Sequence, residues 1–426
     1  MGAGDPPGGG PAQDDRGRRH RPSDRRVRLS GRGPALRIAH LTATFPPYPG
    51  GAGNTAFRIA VGQAERGHTV EVFTAPSEGT VPDAGDVTVH RIEPRFAIGN
   101  APLLPELARL DGFDVVHLHY PFIFGSELTL LARLRRSRRA AALIVHYKNR
   151  LVGGGRRGAL FEIYERTVAP TLIRAADRVL VLSEDHAQSV SYLRRALQRT
   201  PERLVELPNG VDIEAFSPGP DRTGHRHRLG IPEGAVVAAF VATLDRAHHF
   251  KRLDLAIEAL ARAGSQDLHL LVAGGGELLK GFKAQAVARG VDDRVHFLGR
   301  VPHPDLPDVL RASDLFLLTT EPPESFGIVL IEAFAAALPA IATDYPGVAA
   351  VVDDGETGLL VPAGDVEGVA TALDGLVALG PEGRAEMGLR CRRVCEERWA
   401  WPALLDRIEA AYEQAIEARR AKLGGR

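Results

Sequence analysis

Apolar residues along this chain follow two rhythms. Short apolar runs closed by turn residues, at 36–42, 69–74, 87–92, 115–119, 143–147 and 179–182, alternate with amphipathic stretches such as 55–66, 126–136 and 160–175. A run of about 4–8 apolar residues between turn signals predicts a strand, and apolar positions spaced near 3.6 predict a helix. Their alternation predicts a parallel α/β arrangement. The rhythm pauses at Pro208-Asn-Gly-Val-Asp212 and at Ser217-Pro-Gly-Pro220, both rich in turn residues. It resumes with strands at 236–242, 268–273, 295–298 and 315–318, again interleaved with helices. The economical reading is α/β: two facing Rossmann-like domains, 35–216 and 221–400, followed by an amphipathic helix within 401–426 that packs back on the first domain. No internal repeat is evident.

Composition changes this picture at one place. Residues 1–34 are dominated by Gly, Pro, Arg and Asp. Such a segment buries too little surface to offset its ordering entropy, so a disordered tail is expected. A basic arm on anionic lipid or RNA is the rival reading, weakened by the Asp residues between the Arg clusters. The remainder has ample material for two cores, since 44% of the 426 residues are hydrophobic. Basic and acidic residues balance at 53 each, so no global field selects nucleic acid or an anionic membrane. Two cysteines, Cys391 and Cys395, support neither a disulfide scaffold nor a zinc knuckle and fit a reducing compartment. The most apolar stretch, 326–342, is broken by Glu332 and Pro339, and the N-terminus has no apolar signal core. A cytoplasmic protein is expected, with membrane contact at most peripheral.

Candidate chemistry concentrates at strand ends. Glu324-Ser-Phe-Gly-Ile-Val-Leu-Ile-Glu332 places two carboxylates in an otherwise apolar segment, where an ionised side chain is costly unless something binds it. On one helix the two would stand about 12 Å apart, a span that suits a nucleotide ribose at one end and an attached sugar at the other. Gly50-Gly51-Ala-Gly53 lies between the first strand and the first helix, where backbone N–H groups can approach an anion; a plain tight turn is the competing reading. His117 and His119 close a strand on the same face, each a candidate donor to a substrate hydroxyl or simply an edge histidine. Leu244-Asp-Arg246-Ala-His-His-Phe-Lys251 puts cations where a departing diphosphate would need them, against the alternative of a solvated helix start. Ala273-Gly-Gly-Gly276 and the strand end at Gly299-Arg300 are weaker signals of the same kind. The chain has no D-x-D pair for a diphosphate-bound metal, no G-x-S-x-G, no P-loop and no H-E-x-x-H, which removes the commonest hydrolase and kinase readings.

In this order, from about Leu36 to Trp401, the segments resemble the family-4 glycosyltransferases of the GT-B fold. The E-x7-E element, the Pro208–Asp212 loop, Lys251 and Asp354-Gly-Glu-Thr-Gly358 carry the resemblance together. It implies retaining transfer from a UDP- or GDP-linked sugar bound by the second domain to an acceptor on the first, with no metal and no cofactor beyond the nucleotide sugar. By position, Glu332 resembles the ribose ligand and Glu324 the residue on the sugar hydroxyls. Phe326 and Gly327 would offer backbone amides, Lys251 the diphosphate cation, Gly51 the glycine near the β-phosphate, and His119 the histidine near the sugar. The chain departs from the family at Ala242-Thr-Leu244, where the usual arginine is missing and Arg246 stands in its neighbourhood. It departs again at Tyr147-Lys148-Asn149-Arg150, where two cations replace a histidine and an acid, and at Pro346-Gly347-Val-Ala-Ala350, which lacks a glutamate. The second departure falls on the acceptor side and points to an unusual, anionic acceptor, a small polar metabolite before a lipid or glycan. An epimerase or phosphorylase on the same fold, and a non-catalytic sugar-nucleotide binder, are the rival classes.

Overall fold

The computed structural model describes residues 34–48, 50–99, 101–135, 141–151 and 155–424. The expected tail therefore lies outside the described residues, Pro34 excepted. Among those described, the first half of the chain builds a seven-stranded sheet from β1 (Arg37–Leu41), β2 (Thr69–Thr74), β3 (Thr88–Arg91), β4 (Val115–Tyr120), β5 (Ala142–Tyr147), β6 (Arg178–Val181) and β7 (Leu204–Glu206). Their order is β3-β2-β1-β4-β5-β6-β7. The second half builds a six-stranded sheet from β8 (Val236–Val241), β9 (Leu268–Ala273), β10 (Val295–Gly299), β11 (Leu315–Leu318), β12 (Ala340–Asp344) and β13 (Gly358–Pro362), in the order β10-β9-β8-β11-β12-β13. Every neighbouring pair in both sheets is parallel.

Parallel strands need crossover helices, and these cover both faces of each sheet, which is why the strands read as nearly continuous apolar runs. Successive residues serve opposite cores: Ile38 packs in one cluster and Ala39 and Leu41 in another, while Val236, Ala238 and Phe240 are separated in the same way from Val237 and Ala239. Three strands of these two sheets escape the sequence rhythm. β7 is a half-exposed Leu-Val-Glu with almost no apolar signal. β12 follows so closely on the apolar helix α3 (Ile328–Ala335) that one hydrophobic run hides two elements. The break between them is made by Ala337, with φ of 59°, and Pro339. β13 ends the Thr-Gly-Leu-Leu-Val-Pro motif, which reads first as a signature rather than a strand.

The last helix, α5 (Trp401–Gly424), packs on the N-terminal sheet as expected. Leu404, Ile408, Ala411, Tyr412 and Ala415 are buried against Ile38, Ile59, Ile144 and Leu180. Chain therefore crosses between the lobes twice, and the two crossings run side by side. The Val211 N–H donates to the Trp399 carbonyl at 3.0 Å, and Val211 bridges Ala400 in parallel. Arg392 fastens this junction, donating to the carbonyls of Ile213 and Ala335, each at 2.7 Å. Within Leu36–Arg426, one compact unit, strand order reverses between β1 and β4 and again between β8 and β11. In open α/β sheets ligands gather beyond the carboxyl ends of the strands at such reversals.

Candidate active site

At the first reversal, β1 runs out into a turn that feeds α1 (Gly51–Glu65). No side chain caps the first turn of α1 and no acidic residue occupies it, and Gly50, Gly51 and Ala52 are exposed, so its positive end faces outward. Beneath it lies a buried group of four histidines. His117 and His119 stack at 4.4 Å on β4, across from His40 on β1 and His146 on β5. The structure separates the two histidines that alternation leaves equivalent. His117 is sealed, its Nδ1 against the Tyr412 hydroxyl at 2.5 Å and its Nε2 against His146 Nδ1 at 3.3 Å. His119 has one engaged nitrogen, Nε2, 3.0 Å from His40 Nδ1, while its Nδ1 is buried without a partner. His40 is in turn held by Gln63 at 2.8 Å. Burial first, then the neighbouring cationic forms and Lys148, keeps the four imidazoles neutral; His40 falls to about 4. His40, His117 and His119 present nitrogens within 4.8 Å of one another, the one such grouping of metal-ligand chemistry among the described residues. As folded these nitrogens serve a hydrogen-bond chain, and Lys148 sets a cationic group beside them.

The second reversal carries the E-x7-E element, and here the geometry differs from the expectation. Only Glu332 is on α3; Glu324 lies in the loop before it, because Gly327, with φ of 78°, is the residue that starts the helix. The Glu324 carboxylate folds back on that start, accepting from the N–H groups of Ser325 and Gly327 at 3.1 Å each through Oε1. The Phe326 and Gly327 amides expected to serve sugar or phosphate thus face a carboxylate two and three residues away, a local partner with little ordering cost. The other oxygen, Oε2, accepts from Lys251 Nζ. Burial alone would raise the Glu324 carboxyl; the Lys251 ammonium and the backbone N–H groups outweigh it and hold the group below the usual carboxylate range. Lys251 is placed by hydroxyls at the end of β11: Thr319 Oγ1 donates to the Arg252 carbonyl at 2.9 Å and Thr320 Oγ1 to that of Phe250 at 3.1 Å.

Glu332 is 5% exposed and accepts a 2.8 Å hydrogen bond from His303 Nε2, whose ring packs on Phe216. His303 escaped the sequence reading; the signal was available in Pro302-His-Pro304, directly after β10. Arg246, in the neighbourhood of the missing family arginine, has a side chain that is 84% exposed and ion-paired with Glu277 at 3.5 Å. Arg300 is exposed at the end of β10, its backbone against Gly275.

The two reversals face each other. A Cβ on Gly51 would come within 2.9 Å of Ile328 Cδ1, so the turn and the start of α3 lie close against each other. The Gly347 N–H donates to Asp185 Oδ2 across the cleft at 3.0 Å, and Thr55 Oγ1 meets Asn209 at 3.2 Å. On the predicted acceptor side, Lys148 Nζ donates to the Ala52 carbonyl at 3.1 Å, Asn149 Oδ1 is buried without a partner, and Arg150 lies 3.7 Å from Glu165. Glu165 is a buried hub missed in the sequence. It accepts from the hydroxyls of Tyr120 and Tyr192 at 2.6 Å each and from the Leu151 N–H at 2.9 Å, which fixes the Lys148–Leu151 backbone. From the other lobe Tyr345 confronts the same place; burial, Glu324 and Asp185 raise its hydroxyl while Arg150 opposes them.

Comparison with known proteins agrees with this architecture. Residues 221–393 match the model for glycosyl transferases group 1, and residues 49–215 that for glycosyltransferase family 4. The D-inositol 3-phosphate glycosyltransferases of Mycobacterium bovis and Mycobacterium tuberculosis are 30% identical over 95% of this chain and 88% of their own length. Among solved structures, sucrose-phosphate synthase from Thermosynechococcus elongatus superposes with a TM-score of 0.71 at 21% identity, covering 89% of this chain and 98% of that one. Anabaena HepE in complex with UDP gives 0.69 at 21% identity, covering 88% and 98%. The facing strand ends, the Lys251–Glu324 couple and both matched models lead to one conclusion: the chain belongs to the family-4, group 1 glycosyltransferases and has their GT-B fold.

Proposed function

We propose that the enzyme moves a sugar from a nucleotide-diphosphate sugar to a small polar acceptor with retention of anomeric configuration and without a metal. The observation that carries this reading is the Lys251–Glu324 couple opposite the uncapped first turn of α1. Lys251 and the α1 amides meet the charge that grows on a departing diphosphate. Glu324 Oε1 is filled by backbone N–H groups, while Oε2, which accepts from Lys251 alone, retains acceptor capacity for a sugar hydroxyl. Glu332, oriented by His303, takes the ribose. His119, whose Nδ1 is free, faces the sugar, and the acceptor attacks from the side on which the diphosphate leaves. A departing phosphate oxygen receives the acceptor proton, so no protein base is needed, and lobe closure excludes water. Solved complexes of Anabaena HepE with UDP and with UDP-glucose support a UDP-linked donor. The mycobacterial relatives support a phosphorylated polyol as acceptor, which agrees with Lys148 and Arg150 where other members carry a histidine and an acid.

Steady-state transfer assays test the assignment. Glu324→Ala and Lys251→Ala are each expected to lower kcat by about 10²–10³, the size of losing one preorganised transition-state contact. Unchanged rates in both variants would refute it.

A further inference from the structure

The acceptor segment holds a buried lysine that no carboxylate among the described residues neutralises. Lys148 is 4% exposed, and of its three ammonium donors one is used, on the Ala52 carbonyl. No carboxylate pairs with it among the described residues. The titratable groups that face it are His40 from β1, His117 and His119 from β4, and His146 from its own strand, all neutral. A buried charge is costly unless paired and hydrogen-bonded, so a lysine kept in this position calls for an anion. The surroundings are built for one. Lys148 points at the first turn of a 15-residue helix whose N-terminus is uncapped and whose rim, Gly50 to Ala52, is open to solvent. Two nearby side chains, His119 and Asn149, carry buried polar atoms without partners.

We propose that Lys148 and the first turn of α1 form an anion-binding site at the floor of the cleft, completed only when a substrate brings an anionic oxygen group to it. The group is either the donor diphosphate or a phosphate on the acceptor; that choice rests on the transferase reading, whereas the site itself does not. Burial lowers the free ammonium to about 7. An anion restores its charge, so binding takes up a proton near neutral pH. Lysine thereby acts as a specificity device: a substrate lacking the anion leaves the site half made.

Lys148→Met retains the stem and removes the charge. Titration calorimetry on the full chain compares UDP and GDP with uridine and guanosine, and inositol 3-phosphate with inositol, in two buffers of different ionisation heat. The expected result is at least tenfold weaker binding of the charged member of one pair and no change for the neutral members. Proton uptake should vanish in the variant, and its melting temperature should equal or exceed that of wild type. A loss confined to the nucleotides assigns the donor; a loss confined to the inositol pair assigns the acceptor. Unchanged affinity in both arms overturns the proposal. So does a lower melting temperature with equal losses for charged and neutral ligands, which would make Lys148 a prop for Ala52. A wild type that binds inositol 3-phosphate through Lys148 but no nucleotide would sink the transferase reading and leave this site standing.

Discussion

His303 shows how a residue outside the recognised motifs sets the behaviour of one inside them. Its hydrogen bond to Glu332 is the largest influence on it and raises its pKa above the ordinary imidazole value; the Glu332 charge adds to this, while burial and Arg58 oppose it. A histidine raised on folding stabilises the folded state fully below its unfolded pKa of about 6.5, and that contribution fades as pH climbs through the folded value. The ring is half exposed, so the contribution is modest, about 1 kcal/mol or less. Melting curves recorded from pH 5.5 to 8.5 should show wild type gaining on His303→Gln toward the acid end and converging with it at the alkaline end. Parallel curves would mean that the pair is energetically silent. On the proposed assignment of Glu332 to the donor ribose, loss of the His303 hydrogen bond frees its carboxylate to rotate, and the KM for donor is expected to rise about three- to tenfold while kcat holds.

At the scale of elements, the contact between α1 and α3 is the most exposed to a single change. Alanine at Gly51 would press on the far end of one flexible side chain, Ile328, which can shift. Leucine would hold the two helix starts apart. Gly51→Ala should retain most activity, whereas Gly51→Leu should lose about tenfold or more in kcat/KM with its melting temperature within a few degrees of wild type, since reacting groups misplaced by an ångström lose much of their rate. Equal activity in both variants would show that the lobes need not approach this closely. The same elements explain what sequence could reveal. Gly51, Lys251, Glu324 and His119 stand out in the sequence because each closes a strand or follows one, where glycines and charges interrupt an apolar rhythm. His40, Gln63 and His146 do not, because His40 and His146 meet His117 and His119 from two other strands and Gln63 holds His40 from α1, and a histidine inside a strand leaves no periodic trace. Whether Glu324 shares a helix with Glu332 stays open in the sequence, because a glycine helix start inside an apolar run is silent until its φ is known.

Taken whole, the molecule completes its first lobe with its last helix. The N-terminal sheet spans residues 37–206, yet the core on one of its faces is closed by Leu404, Leu405, Ile408, Ala411, Tyr412 and Ala415 of α5. The larger of these contribute about 1.5–3 kcal/mol each by burial. Their sum rivals the 5–15 kcal/mol that holds an ordinary domain together. Removing 401–426 should therefore unfold the first lobe while the second, whose two cores draw only on 182–399, persists. Urea unfolding followed by hydrogen exchange would show early loss of protection in β1, β4 and β5 and retained protection in β8, β9 and β11. Simultaneous loss in both lobes would mean that they fold as one cooperative unit. A subtler version separates folding from chemistry. Tyr412→Phe keeps the ring in the core and removes the hydroxyl against His117, at a cost of about 1–2 kcal/mol. His117 and His119 are neighbours in one hydrogen-bonded and stacked group, so the freed His117 nitrogen should also move the catalytic pH profile. A change in stability with an unaltered profile would limit the C-terminal helix to scaffolding; a change in both would make it part of the site it covers.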